Sequence, residues 1–333
     1  MTTPSKPIIL AGSPGGHIDL LRSVAPALGD WPLVWATAGG PAAASIAAAG
    51  DRVVALPRFD RRRSAVVGTA LRSLTLLLRE RPRALVVSGA SLVLPLAVLA
   101  RLLQIPVVFA ETMARVTGPS ASGRLLSRLA AGVLVQWPEM ARVYPGAIVC
   151  RPALLEQAGS STGPAPSERV GTFVAVGTHD GGFDRLLETV SRAVAGGVLP
   201  EPLVVQSGHS RSVPATGQAW FTPDEMREHV AAARYVVCHA GAGIVSSALR
   251  AGVRPLVMAR RAALGEHVDD HQGQIVAKLG ELGLIVSIED EISPVHLRAA
   301  DAPLERTPAA ALPSVGDVLA AELRRVVSGE SFA

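Results

Sequence analysis

Short apolar runs alternate with longer stretches of helical periodicity along most of the chain. In the first half, runs at 8–11, 33–36, 53–56, 84–88, 107–110 and 132–136 read as strands. They are mainly apolar rather than alternating, as strands covered on both faces are. Between them, 19–28, 42–49, 66–80 and 94–103 carry apolar residues at helical spacing. This β–α–β succession predicts a parallel, doubly wound α/β sheet. The pattern fails from 151 to 169, where 157–167 (QAGSSTGPAPS) is rich in Gly, Ser and Pro and reads as a linker. It resumes with strands at 172–176, 203–206, 235–238, 255–258 and 284–287, and a last helical pattern covers 312–328. The expected organisation is an N-terminal domain over 1–150, a linker over 151–170, a second α/β domain over 171–311 and a C-terminal helix within 312–333. Two such domains leave an interdomain cleft, a common place for a ligand.

Composition sharpens this picture. Of 333 residues, 49% are apolar, 18% charged and 4% aromatic, which argues against disorder for most of the chain and fits sheets packed by Ala, Val and Leu. The net charge is +4, and Arg58, Arg61, Arg62, Arg63, Arg72, Arg79, Arg81 and Arg83 fall in one stretch. Such a cluster serves nucleic acid, an anionic membrane surface or phosphate-bearing substrates, or is simply a solvated face. No nucleic-acid motif accompanies it. Cys150 and Cys238 are isolated and end apolar runs, so buried thiols in a reducing cytoplasm are expected, not a disulfide framework. No leader peptide is expected at the Thr/Ser/Pro-rich start. The apolar stretch 84–110 is interrupted by Ser88, Gly89, Ser91, Pro95, Arg101 and Pro106, so it reads as strand, helix and strand. Any membrane contact would then be peripheral.

Three motifs can carry chemistry. Gly12-Ser13-Pro14-Gly15-Gly16-His17 joins the first strand to a helix. Its glycines permit a tight turn, and the helix start offers free N–H groups. It lacks both the Walker lysine and the dinucleotide spacing. A histidine there titrates near neutrality and can accept a proton from a hydroxyl, although a plain turn has the same outline. Cys238-His239-Ala240-Gly241-Ala242-Gly243 likewise joins a strand to a helix. Small residues let a ligand approach the backbone, and the helix start stabilises a departing diphosphate. His239 could equally be a hydrogen-bonded core residue. Gly265-Glu266-His267-Val268-Asp269-Asp270-His271-Gln272 suits several hydroxyls; a metal site is its rival, but neither HExxH nor EF-hand spacing is present. Gly177, Thr178, His179 and Asp180, then Gln206 and Ser207, lie at strand ends where open sheets bind ligands. Glu111 and Arg115 follow the strand at 107–110, either as site residues or as an i,i+4 pair on a helix.

Together these motifs resemble the fused form of the two-subunit family 28 glycosyltransferases. Relatives are the UDP-GlcNAc transferase of dolichol-linked oligosaccharide synthesis and bacterial exopolysaccharide enzymes with undecaprenyl-diphosphate-linked acceptors. More distantly, the chain is similar to the lipid II-forming GlcNAc transferase of peptidoglycan synthesis. The first half (GSPGGH, SGASLVLPLAVLARLLQIPVVFAE, and the run from ARVTGPSASG to VYPGAI) is similar to the acceptor subunit. The second (VAVGTHDGGFDRLLETV, VVQSGHS, CHAGAGIVSSALRAG, GEHVDDHQ) is similar to the donor subunit.

The resemblance implies a GT-B fold, inversion by single displacement, no metal or other cofactor, a UDP-sugar donor on the second domain and an acceptor on the first. It places uracil near Phe221 and Met226, the diphosphate on Ala240, Gly241, Ala242 and Gly243 beside His239, and the hexose near Asp270 and Gln272, with Glu266 and Asp269 also in the donor set. Gly177, Thr178, His179, Gln206 and Ser207 complete the donor set. His17, as base, and Glu111 face the acceptor with Gly15, Gly16 and Arg115. Ser247 stands where the family usually carries a Glu that grips the ribose diol, and a hydroxyl cannot make that bidentate contact. The expected acceptor is a polyprenyl-diphosphate-linked sugar in polysaccharide biosynthesis, met by a cytoplasmic protein on the inner face of the plasma membrane. Two other readings stay open: a secondary-metabolite glycosyltransferase with a soluble acceptor, and a non-catalytic nucleotide-sugar-binding subunit. An epimerase of the same fold would need further acid/base carboxylates that these motifs lack.

Overall fold

A computed structural model describes residues 6–57, 63–89, 91–157, 164, 166–177, 181–212, 217–267, 271–304 and 311–328. The chain forms two compact units: Met1–Ala153 with Ala311–Ala333, and Leu154–Ala310.

In the first unit, strands β1 (Ile8–Gly12), β2 (Leu33–Ala38), β3 (Arg52–Leu56), β4 (Ala84–Ser88), β5 (Val107–Ala110), β6 (Gly132–Val135) and β7 (Ile148–Val149) form one sheet of order β3-β2-β1-β4-β5-β6-β7. Every pairing is parallel. Helices α1 (Gly16–Val24), α2 (Pro41–Ala48), α3 (Arg63–Glu80), α4 (Leu94–Leu102), α5 (Ala121–Leu129) and α6 (Pro138–Ala141) connect these strands. β1 and β4 are buried at every position, which explains why their sequences show no alternation. The order reverses between β1 and β4, so the loops after those two strands diverge and leave a crevice at the sheet's carboxyl edge.

Helix α7 (Ala153–Gln157) straddles the boundary into the second unit, so the stretch expected to be a linker contains a helical turn. Strands β8 (Val170–Ala175), β9 (Leu203–Gln206), β10 (Gly217–Gln218), β11 (Ala233–His239), β12 (Leu256–Met258) and β13 (Val286–Ile288) form a second parallel sheet, ordered β10-β9-β8-β11-β12-β13. Its reversal lies between β8 and β11. Helices α8 (Asp184–Ala195), α9 (Pro223–Ala232), α10 (Ala242–Arg250), α11 (His271–Glu281) and α12 (Pro294–Asp301) connect its strands. α8 shows the helical pattern at work: Leu186, Leu187, Val190 and Ala193 recur on one face, and all are buried against the sheet.

The expected C-terminal helix is α13 (Val315–Ser328), and it packs on the unit in which the chain began. Val315, Leu319, Ala320 and Leu323 enter the same core as Leu20, Leu21, Val24 and Leu28. Glu322 and Arg325 pair beside it, and Arg325 also donates to the Ala131 carbonyl at 3.1 Å. No described helix is long and apolar enough to cross a membrane.

Candidate functional site

In the first unit the crevice between β1 and β4 holds His17. The turn enters α1 through Gly15 at φ +91, a conformation that favours glycine. The half-buried imidazole puts Nδ1 3.3 Å from the hydroxyl of Ser88, the last residue of β4. A Cβ at Gly89 would overlap the His17 ring, so the backbone after β4 must be glycine for the ring to lie there.

Two strands further along, Glu111 follows β5 at 2% exposure. Its carboxylate accepts from the Tyr144 hydroxyl at 2.9 Å and from the Thr112 N–H at 3.0 Å, while Gln136 donates to its carbonyl at 2.9 Å. Burial raises its pKa above the ordinary carboxyl range; the Tyr144 and Thr112 hydrogen bonds and the charge of Arg115 oppose the rise. Burial raises the Tyr144 hydroxyl too, with Glu111 beside it adding to the shift. Residues 111–115 form a turn closed by Arg115 N–H on the Thr112 carbonyl, so an i,i+4 helical pair is ruled out there. Glu111 is thus a buried, fully engaged carboxyl, and not one displayed at the surface.

The second unit repeats the arrangement with the partners exchanged. His239 ends β11, and its Nδ1 lies 3.3 Å from the carbonyl of Ala175 at the end of β8. Cβ atoms at Gly177 or Gly241 would overlap its ring, and Gly177 sits at φ +84. Glycine therefore brackets the imidazole on both sides. α10 starts directly after this turn: its N-cap is Gly241, no side-chain oxygen caps it, and no acid stands in its first turn. The first-turn N–H groups of Ala242 and Gly243 have no intrahelical acceptors and carry the positive end of the helix dipole. Ser247 is half-buried on the next turn. Cys238 is buried, and burial raises its thiol pKa, which removes it from nucleophilic chemistry.

Several residues expected to meet the donor make hydrogen bonds within the protein. The Gln206 carboxamide accepts from Gly177 N–H at 3.0 Å and donates to the carbonyls of Gly177 and Ala219 at 3.2 and 3.0 Å. Ser207 donates to the Gln218 carbonyl at 3.1 Å. Both are buried and shape the loops. Glu266 binds Arg185 through two bonds of 2.9 Å and accepts from Arg261 N–H at 2.9 Å. Burial would raise its pKa, but these contacts hold it below the usual range. Gln272 is buried and accepts from Arg260 N–H at 3.0 Å. Phe221, half-buried, packs against His229 at 4.6 Å between ring centres, and Met226 lies nearby on α9. Thr178, His179, Asp180, Asp269 and Asp270 lie outside the described residues, as do Arg58, Arg61 and Arg62. Among the described residues no three His, Cys, Asp or Glu side chains gather as metal ligands.

The sequence reading missed Arg260. It is 1% exposed and donates to the carbonyls of Val176, Gly181, Gly182 and Glu266. Two adjacent arginines after a strand look like solvated charge, and nothing in their spacing marks the first as buried.

Comparisons with known proteins follow the division into units. Residues 62–151 match the model described as "Oligosaccharide biosynthesis protein Alg14 like", and 173–299 match the "Glycosyltransferase family 28 C-terminal domain". The UDP-N-acetylglucosamine–N-acetylmuramyl-(pentapeptide) pyrophosphoryl-undecaprenol N-acetylglucosamine transferase of Thiobacillus denitrificans is 31% identical over 313 residues, 83% of each chain. The chain belongs to the family 28 glycosyltransferases. The enzyme of the same name from Methylococcus capsulatus is 28% identical to this glycosyltransferase over 88% of each. The crystal structure of Acinetobacter baumannii MurG superposes on this family 28 chain with a TM-score of 0.64, covering 96% of it and 99% of MurG at 18% identity. The two parallel-sheet units of this glycosyltransferase are those of the GT-B fold.

Proposed function

We propose that this glycosyltransferase moves a hexose, with inversion, from a UDP-sugar held by the second unit to a hydroxyl of a polyprenyl-diphosphate-linked sugar received by the first. The observation that carries the reading is the turn at His239. A glycine-walled imidazole is followed by a nine-residue helix whose first-turn N–H groups meet no capping side chain. That is the chemistry a departing nucleoside diphosphate needs where no metal neutralises it. The names of the relatives, which specify a UDP-linked donor and an undecaprenol-linked acceptor, support the same substrate classes. The Alg14-like and family 28 matches, one in each unit, support the fused acceptor-plus-donor organisation.

In this mechanism the acceptor oxygen bonds to the anomeric carbon as the bond from that carbon to the β-phosphate oxygen breaks. The electron pair leaves with UDP toward the start of α10, and the acceptor proton passes to His17. Ser88 and Gly89 fix the imidazole for that task. The step needs no metal. Thermal-shift measurements with UDP, GDP and dTDP, with and without EDTA, test the donor: stabilisation by UDP alone, unchanged by EDTA, is expected. Equal response to all three nucleotides, or to none, would remove the reading.

Membrane contact through α3 belongs to the same proposal. Val67, Leu71 and Leu78 are 60%, 62% and 54% exposed, with Arg72 and Arg79 exposed beside them. Apolar residues flanked by arginines suit an anionic lipid surface. Leu71→Glu with Leu78→Glu should abolish co-sedimentation with vesicles containing phosphatidylglycerol while leaving UDP binding intact; undiminished co-sedimentation would exclude α3 as the contact.

A further inference from the structure

In the second unit a buried cation lies at the carboxyl edge of the sheet. Arg260 follows β12 and is 1% exposed. Its Nη2 donates to the Val176 carbonyl at 2.8 Å, and its Nη1 to Gly181, Gly182 and Glu266 carbonyls at 2.8, 2.7 and 3.2 Å. The guanidinium rests on the Phe183 ring, 4.6 Å from its centre. In the sheet, β11 lies between β8 and β12, and His239 pairs in register with Met258. The Arg260 side chain therefore spans from the end of β12 to the loop after β8, passing the end of β11, where the His239 turn begins.

All four acceptors on Arg260 are neutral carbonyls. The carboxylate of Glu266 is committed to Arg185 and Arg261 N–H, and the other acid on Arg185, Asp290, is 60% exposed. Among the described residues no carboxylate hydrogen-bonds Arg260, whereas Arg185, only partly buried, is paired with both Glu266 and Asp290. An arginine stays protonated, so Arg260 places a permanent positive charge at the carboxyl edge of the sheet.

Resting on the UDP-sugar reading, we propose that Arg260 is a positioning residue for the donor diphosphate: it ties Val176, Gly181 and Gly182 after β8 to Glu266 after β12 and sets a permanent positive charge at the sheet edge where the His239 turn begins. A carbonyl drawn toward Arg260 turns the next N–H of a trans peptide away from it. Two of those N–H groups, on Gly177 and Phe183, are taken up by Gln206 and Ser210, which locks the loop's outline. The planar fork of an arginine can hold several carbonyls at once, and a lysine's single ammonium cannot reproduce it.

The test uses the full chain and three proteins: wild type, Arg260→Lys and Arg260→Met. UDP and UMP affinities are measured by calorimetry, and melting temperature is followed separately. Wild type should prefer UDP over UMP. Arg260→Met should lose at least about tenfold in UDP affinity, and UDP and UMP should converge; Arg260→Lys should recover part of the preference. If Arg260→Met does not fold, the lysine variant decides, because it keeps the charge and loses the fork. An unchanged UDP-over-UMP preference in the folded variants would overturn the proposal, as would equal losses for both nucleotides tracking a fallen melting temperature. Wild type that binds no uridine nucleotide would instead overturn the donor reading itself, a result seen before any variant is compared.

Discussion

At the carboxyl edge of each sheet one imidazole rests against glycine backbone: His17 against Gly89, and His239 between Gly177 and Gly241. The histidine follows the first strand in one unit and the fourth in the other, yet both rings occupy the reversal point of their sheet. Gly89 has φ +50 as well as no room for a Cβ. Gly89→Ala should therefore displace His17 and cost about 1 kcal/mol or more of stability. Turnover should fall at least about tenfold, with UDP affinity held within about twofold, since the proposed donor residues are in the other unit. Unaltered turnover would remove His17 as the base. Glu111 calls for a different measurement. Its carboxyl has an ordinary value of 4.5, raised in the folded chain chiefly by burial. A raised folded value means that the folded state holds the proton more tightly. The stability this gives is complete below about 4.5 and is lost as pH climbs through the raised value. Glu111→Gln keeps an acceptor for Tyr144 and removes the titration. Wild type should thus lose stability relative to Glu111→Gln on raising pH above the ordinary carboxyl range, by at most about 1.4 kcal/mol per pH unit. Parallel melting curves against pH would show that Glu111 does not titrate in this way.

Among the elements, α10 separates binding from stability. Gly243 is exposed in its first turn, where no acid stands. Gly243→Asp supplies a better helix former and a favourable charge for the dipole, so the melting temperature should hold or rise, by up to about 1 kcal/mol of stability. The same carboxylate would compete with the diphosphate, and UDP affinity should drop at least about tenfold. Retained affinity would mean that the diphosphate is held elsewhere. Several strands were legible as mainly apolar runs: 84–88 and 107–110, buried at every position, coincide with β4 and β5, and 203–206 with β9. β7 and β10, of two residues each, are too short to carry a periodicity and went unread. The motif turns at His17 and His239 were legible because glycine clusters between a strand and a helix have few other uses. The engagement of Gln206, Ser207, Glu266 and Gln272 by backbone and Arg185 was not, since a polar side chain at a strand end looks alike whether it faces a ligand or braces a loop.

For the whole chain, what the sequence hid was the place of its last helix. A periodic apolar face fixes that α13 must be covered, but not by which unit, and the answer depends on contacts nearly three hundred residues apart, such as those with Leu20, Leu21 and Leu28. Val315, Leu319 and Leu323 are 1%, 0% and 0% exposed in that core. Truncating one buried leucine to alanine costs about 2–5 kcal/mol, and a domain's whole stability is about 5–15 kcal/mol, so removing three such side chains together exceeds what the unit can lose. Among the described residues, the core cluster of the second unit runs from Val174 to Ala300 and includes no residue of α13. A fragment of residues 154–310 should therefore melt cooperatively and, if it holds the donor, bind UDP with the affinity of the full chain. A fragment of 1–153 should be insoluble, and fusing 311–333 to its end through a flexible linker should restore a folded, monomeric unit. A soluble, cooperatively melting 1–153 fragment would show that α13 covers a core already stable without it.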